Sequence, residues 1–492
     1  MSRLPRFVLA LLLALVSHQA AASDAGWFSP GDTLLRLDLQ ILNDARVVRL
    51  PIHQWPIPQA AVEFALKNAK EEAAGNAAVA AALARVRARL EPPPGLGFGV
   101  TASGGQGARV RDFDTPARED GELGASFEAS RGRFAAGLSA TVALDPEDGH
   151  EIRADGSHLT LRAGNWLLSA NKLERWWGPG HEGSLILSNN ARPMPTFTVE
   201  RAEARPFESR ILGWLGPWRF NFAISQMEGD RRDIDSPLFM AWRVTVMPLP
   251  DLEVGFSRTA QFCGEGLECN LDVFGNLLAG NDNVGIDATE ENEPGNQMAG
   301  FDIRWNSPIG TLPFAIYSQY IGEDESSYLP SKFLSQIGLE AWKPFGDGAI
   351  LKAHLEYANT TCSAHTHRGP YYQCAYTQGR FDVDGYRYNG RVIGHGMEAD
   401  ADTYALGLTY TSPGGRLWTA TGRTARLNRP GDDRNPLTAI PADYNALEFG
   451  WRGDLRGDSL AVELGVESFE PDGADRDVSA FGFLRWTHSF GP

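Results

Sequence analysis

The densest cluster of aromatic and polar side chains in the 492-residue sequence runs Glu174-Arg175-Trp176-Trp177-Gly178-Pro179-Gly180-His181-Glu182-Gly183-Ser184. It continues as Leu185-Ile186-Leu187-Ser188-Asn189-Asn190-Ala191-Arg192-Pro193. An indole offers a flat face on which the C–H side of a pyranose ring can pack. Imidazole, carboxylate, amide and guanidinium groups supply donors and acceptors for sugar hydroxyls and carboxylates. Trp176, Trp177, His181, Glu182, Asn189, Asn190 and Arg192 are therefore the candidate polysaccharide-binding residues. The same composition suits a loop folded inward, with both tryptophans packed and the two asparagines satisfying backbone groups, and composition alone favours this second role.

Catalysis finds little support. The chain has no Gly-x-Ser-x-Gly elbow and no His-Glu-x-x-His helix, and the closeness of His181, Glu182 and Ser184 along the sequence is no guarantee of geometry. No catalytic residue and no cofactor are expected. Four cysteines fall as two local pairs, Cys263 with Cys269 and Cys362 with Cys374, which in an exported protein read as two loop-stapling disulfides. His365 and His367 lie inside the second pair, but the spacing matches no standard zinc pattern and oxidised cysteines cannot act as thiolate ligands, so no metal is expected.

The elements that must position these residues are strands. From Gly95 onward the chain reads as about eighteen amphipathic β-strands, with apolar residues alternating with polar ones: Trp218, Phe220, Phe222 and Ile224 against Arg219, Asn221, Ala223 and Ser225, and likewise around Phe301–Asn306, Leu351–Tyr357 and Leu460–Glu467. One face suits lipid and the other water. Arg162, Arg219, Arg243, Arg258, Arg304, Lys352, Glu356, Glu463 and Glu467 are assigned to the inner face. Tight turns (Arg131-Gly132, Ala163-Gly164, Pro248 to Asp251, Ser412 to Gly415) alternate with long loops (Gly104 to Glu122, Leu173 to Pro195, Phe262 to Gln297, Asn359 to Asp400). That alternation is expected of an outer-membrane barrel with short periplasmic turns, and only Arg205 to Gly216, a long connection on the short-turn side, departs from it.

Before the strands, Arg3 and Arg6, the apolar run Phe7 to Val16 and Ala20-Ala21-Ala22 form a secretory signal over residues 1–22. Residues 23–94 form an N-terminal segment of a different kind. Leu34 to Leu42 fits helix or strand, Leu50 to Pro58 must be extended, and the alanine-rich stretches Gln59 to Glu72 and Asn76 to Leu90 read as helices ended by Pro92-Pro93-Pro94. The domain reading is thus a signal peptide (1–22), a helical periplasmic plug (23–94) and a barrel (95–492). A net charge of −17 argues against a nucleic-acid partner. The acidic runs Glu290-Glu291-Asn292-Glu293 and Glu323-Asp324-Glu325 are read as solvated surface of long loops.

The Trp-Trp-Gly-Pro-Gly and Ser-Leu-Ile-Leu-Ser-Asn-Asn-Ala-Arg-Pro-Met-Pro runs, with Phe207-Glu208, Trp214-Leu215-Gly216-Pro217-Trp218 and Trp55-Pro56-Ile57-Pro58, resemble the Wzi family of capsule-assembly outer-membrane proteins over essentially the whole mature chain. The resemblance implies an all-β, eighteen-stranded transmembrane barrel closed by N-terminal helices, acting as a lectin for capsular or extracellular polysaccharide at the cell surface. It transfers no binding residue individually. Outer-membrane lipids are expected partners. So is the outer-membrane assembly machinery, since Leu484, Trp486, His488 and Phe490 share one face of the last strand; a passive porin for small solutes is the alternative function.

Overall fold

The computed structural model describes residues 25–73, 75–90, 96–114, 119–279, 296–307, 313–326, 329–364, 370–377 and 383–490. The signal segment, the three prolines, His365, His367 and Glu290 to Glu293 lie outside the described residues.

A single antiparallel sheet closes on itself, its last strand Asp477–Phe490 pairing with its first, Leu96–Gln106. It has eighteen strands, as the alternation predicts, with one strand interrupted into Ile152–Arg153 and His158–Ala163. Closure leaves no sheet edge unpaired, which a bilayer requires because lipid offers backbone groups no hydrogen bonds. Along Trp218–Gln226, Arg219, Asn221, Ala223 and Ser225 are buried, while Trp218, Phe220, Phe222 and Ile224 are partly exposed. Phe256, Leu355, Leu408 and Leu464 continue the exposed apolar surface on other strands. This is the lipid-facing band.

Two assignments change. Arg258 pairs with Trp242 and follows Phe256 in parity, so it stands on the outer face rather than the inner one. Helix Leu271–Ala279 covers it there: the Leu277 carbonyl accepts from Arg258 at 2.9 Å, and Gln297 Oε1 accepts at 2.5 Å. Alternation alone carries no sign of an element packed on the outside. Glu323 to Glu325 are not loop surface but the end of strand Phe314–Ser326, with Glu323 fully buried.

One end of the barrel has the tight turns Arg131–Phe134, Ala163–Trp166, Leu249–Leu252 and Leu455–Asp458, and the other carries residues 172–195, 263–279, 370–377 and 383–401. The connection 202–217 at the tight-turn end is long, as the sequence indicates. Both cysteine pairs are disulfide-bonded, Cys263–Cys269 and Cys362–Cys374, in or beside long-loop segments. Peptide mapping without reduction should recover both links; four free thiols would contradict them.

The N-terminal segment has three α-helices: α1, Thr33–Asp44; α2, Gln59–Lys67; and α3, Ala77–Leu90. Asp32 Oδ1 caps α1 by accepting from the Leu35 amide at 3.0 Å, and Asn76 caps α3 through Val79 at 2.9 Å. α2 ends earlier than its alanine content suggests, giving way to a 3-10 turn at Glu71–Ala73. Arg46 pairs with Asp251, Arg85 donates to the Pro413 carbonyl, and Asp44 accepts from Arg304 at 2.7 Å. Asp251 and Pro413 belong to tight turns, so these contacts seat the segment at that end, with α1 buried among strand side chains.

Candidate functional site

The interior is built around Trp55. Gln54–Trp55 pairs as a short antiparallel ladder with Trp176–Trp177, which brings the loop predicted to bind sugar into the lumen. Trp176 is 0% exposed and packs with Trp55, Leu35, Leu39 and other residues of α1. Phe113 meets Trp55 edge-on at 5.4 Å and Trp176 at 5.3 Å, and the Arg36 guanidinium lies 4.3 Å from the Phe113 ring centre. Arg36 also donates to the carbonyls of Pro179 and Gly180, each at 2.7 Å. Trp177, also 0% exposed, joins a second cluster with Leu185, Ile186, Tyr376 and Tyr386. Neither indole presents a face to solvent, so the stacking role read from the sequence finds no open surface; the inward-packed reading describes both rings.

His181 and Glu182 sit over a chain of buried charges. Glu356 accepts from both of their amides, at 2.8 and 3.1 Å, as well as from Tyr317 at 2.7 Å. His181 Nε2 is 2.8 Å from Glu340, which also pairs with Arg304 and Lys352 at 2.7 Å each. Glu182 bonds His354 at 2.9 Å and Arg423 at 2.5 Å, and Arg423 reaches on to Glu448 at 2.7 Å and to Asp112. Burial alone would raise the Glu182 pKa, but the Arg423 guanidinium and His354 reverse this and hold it at about 2. His181 is kept neutral, first by burial and then by Lys352 and Arg36. Paired charges of this kind join loop and wall, and the polar atoms that point inward are largely spent on each other.

The stretch Ile393 to His395 closes over the loop 172–195. The Ser188 amide donates to Ile393 O at 2.8 Å and its hydroxyl to Gly394 O at 2.5 Å, while the hydroxyl accepts from the Asn190 amide at 3.1 Å. His395 lies against Gly183, where a Cβ would stand 2.1 Å from the imidazole Cδ2, so only glycine fits. Met397 N donates to His395 Nδ1 at 3.2 Å, which places the neutral ring's proton on Nε2. Burial lowers the His395 pKa to about 4. Between about pH 6.5 and 4 the unfolded chain takes up a proton that the folded ring refuses, so this contribution is complete above pH 6.5 and lost on acidification. Relative to His395→Gln, the wild-type barrel should lose heat resistance, read as folded gel mobility, as pH falls from 7 to 4.5; a constant difference would contradict this.

The remaining candidates lie nearer the long-loop end. Arg192 is clamped by Asp155 at 2.8 Å and Asp148 at 2.7 Å. Asn189 borders an internal cavity of about 240 Å³ with Arg153, Arg452 and Arg485, and Asn190 borders a second of about 290 Å³. The second cavity is lined by Arg109, Arg111, Glu147, Arg391 and Glu467 among others, drawn from five connecting segments and two barrel strands. Arg391 pairs with Glu147, and Arg109 stands 3.6 Å from Glu467 and 4.6 Å from the Phe469 ring centre. Of the sequence candidates, the structure puts only Asn190 at this cavity. The others that line it went unread because their positions span Gln106 to Glu467; the Gly104-Gly105-Gln106-Gly107-Ala108-Arg109 run was the available local signal.

A closed antiparallel barrel with a lipid-facing band, a packed lumen and a polar cavity under its long loops is the architecture of an outer-membrane barrel. A family model described as capsule assembly protein Wzi matches residues 97–480, and the chain belongs to that family. An uncharacterised 55.8 kDa protein in the cps region of Klebsiella pneumoniae is 30% identical over 455 residues, 91% of this chain and 86% of that one. A solved structure from Escherichia coli, Wzi, described as an outer membrane protein involved in group 1 capsule assembly and a carbohydrate-binding β-barrel, superposes with a TM-score of 0.81. It is 27% identical, and the match covers 95% of this chain and all of that one.

Proposed function

We propose that this chain binds capsular or extracellular polysaccharide at the cell surface and holds it there during capsule assembly without altering it chemically. The observation that carries the reading is the 290 Å³ cavity beneath the long loops, with arginines, carboxylates and Asn190 on its walls. An extended polymer gains from modest contacts repeated over many copies of the barrel. Trp176 and Trp177 act beneath the cavity as positioning residues, joining the loop that carries Asn190 to the N-terminal segment. That segment, residues 23–94, serves as a periplasmic plug. The last strand, with Phe490 at its end, supplies the feature read by the outer-membrane assembly machinery.

Two measurements test this. Replacing Arg109 and Arg391 together by alanine should weaken polymer retention on cells about fivefold per lost contact, roughly 1 kcal/mol each, while folded gel mobility is kept. Unchanged retention would overturn the assignment of the cavity. In planar bilayers the intact protein should pass little or no current, and large steady currents would favour the porin.

A further inference from the structure

We infer that the connection 202–217 is a lipid-seated anchor, lying in the headgroup layer of the phospholipids that face the periplasm. The inference rests on the barrel's place in the membrane and is independent of polysaccharide binding. The connection leaves strand Thr196–Arg201 at the tight-turn end; Ala202 and Ala204 are buried against the N-terminal segment and Arg205 lies 5.2 Å from the Phe64 ring centre, and only from Phe207 onward does the chain pass to the outer face. Phe207 stacks on Trp218 with ring centres 4.4 Å apart and planes within 12°. The Arg201 guanidinium lies 3.6 Å from the Trp218 ring centre. Trp218 shares a strand face with Phe220, Phe222 and Ile224, so the connection is continuous with the lipid-facing band.

Beyond Glu208, Ser209 and Arg210 the chain turns apolar, as Ile211-Leu212-Gly213-Trp214-Leu215. Ser209 organises it: its carbonyl accepts from the Gly213 amide at 2.7 Å and its hydroxyl from Ile211 at 3.1 Å, while Leu215 N donates to Leu212 O at 3.0 Å. A short 3-10 turn, Gly213–Leu215, results. It holds Ile211, 79% exposed, and Trp214, 65% exposed, away from the protein beside the exposed Leu212. Gly216 then returns the chain to the wall at φ 67°, where a Cβ would lie 2.0 Å from the Met247 carbonyl oxygen, so the geometry demands glycine.

Large apolar side chains fixed outward on an ordered turn are costly in water and favourable in lipid. The chemistry matches the bilayer boundary: an indole at headgroup depth, aliphatic chains toward the acyl region, and the exposed guanidinium of Arg210 within reach of phosphates, while Arg205 pairs with Glu203. A tight turn would close the barrel equally well, so the extra length serves the anchor.

Because all four native cysteines are in disulfides, Ile211→Cys provides a single thiol for a spin label on the full-length protein in phospholipid vesicles. Its accessibility to oxygen relative to a water-soluble nickel chelate should rise well above that at Gly346→Cys, an exposed turn position with open space, and shift toward that at Leu408→Cys on the lipid face. Trp214→Cys should give the same result if the first variant loses folded gel mobility. A ratio equal to that at Gly346 in either folded variant would overturn the inference. So would chelate protection appearing only when periplasmic proteins are added, which would assign the surface to a protein partner.

Discussion

Trp176→Ala is expected to cost the folded barrel about 3–5 kcal/mol, the range for removing a large buried aromatic from a core that relaxes only partly. Trp176 is fully buried against Trp55 and Phe113, and its indole nitrogen donates to the Gly180 carbonyl at 3.2 Å. The substitution therefore removes packing from the N-terminal segment and from the inward loop together. The measurement is the temperature or urea concentration at which folded gel mobility is lost. Full heat resistance with a specific loss of polymer binding would instead return the tryptophan to the binding surface.

Glu340→Ala should be of comparable size. Glu340 faces Arg304, Lys352 and His181 at 2.7, 2.7 and 2.8 Å and also bonds Gln40, and it is buried. Removing it leaves cations in the interior without their shared counter-charge, for which losses of about 3–5 kcal/mol are typical. Arg46→Ala breaks the Arg46–Asp251 pair, in which the arginine side chain is 51% exposed, and should cost no more than about 1 kcal/mol. Equal effects of the two substitutions would show that the interior charges are hydrated rather than paired.

The barrel was legible in the sequence because its signal is local: residue parity assigns Arg219 inward and Phe220 outward without knowledge of any partner. The alanine-rich stretch Asn76 to Leu90, found as α3, was legible for the same reason. Arg258 was misassigned because the helix over it, Leu271–Ala279, is an addition to the outer face that parity does not encode. The Trp176-Trp177 segment remained ambiguous because sugar platforms and packed cores use the same residues, and what decides between them is the ladder to Gln54–Trp55, well over a hundred residues away. The rim cavity was invisible for a related reason. Arg109 and Arg111 stand on one loop and Arg391 on another far along the chain, and they become neighbours only when the barrel closes.

The direct test is to titrate the purified, full-length barrel with surface polysaccharide from the strain that makes it, following both binding and polymer length. Saturable binding should be weakened by the joint replacement of Arg109 and Arg391 and unaffected by Arg46→Ala, with the polymer recovered at its original length. Absence of binding, binding indifferent to the two cavity arginines, or a polymer shortened by incubation would contradict a barrel that holds its polysaccharide unaltered at the outer rim.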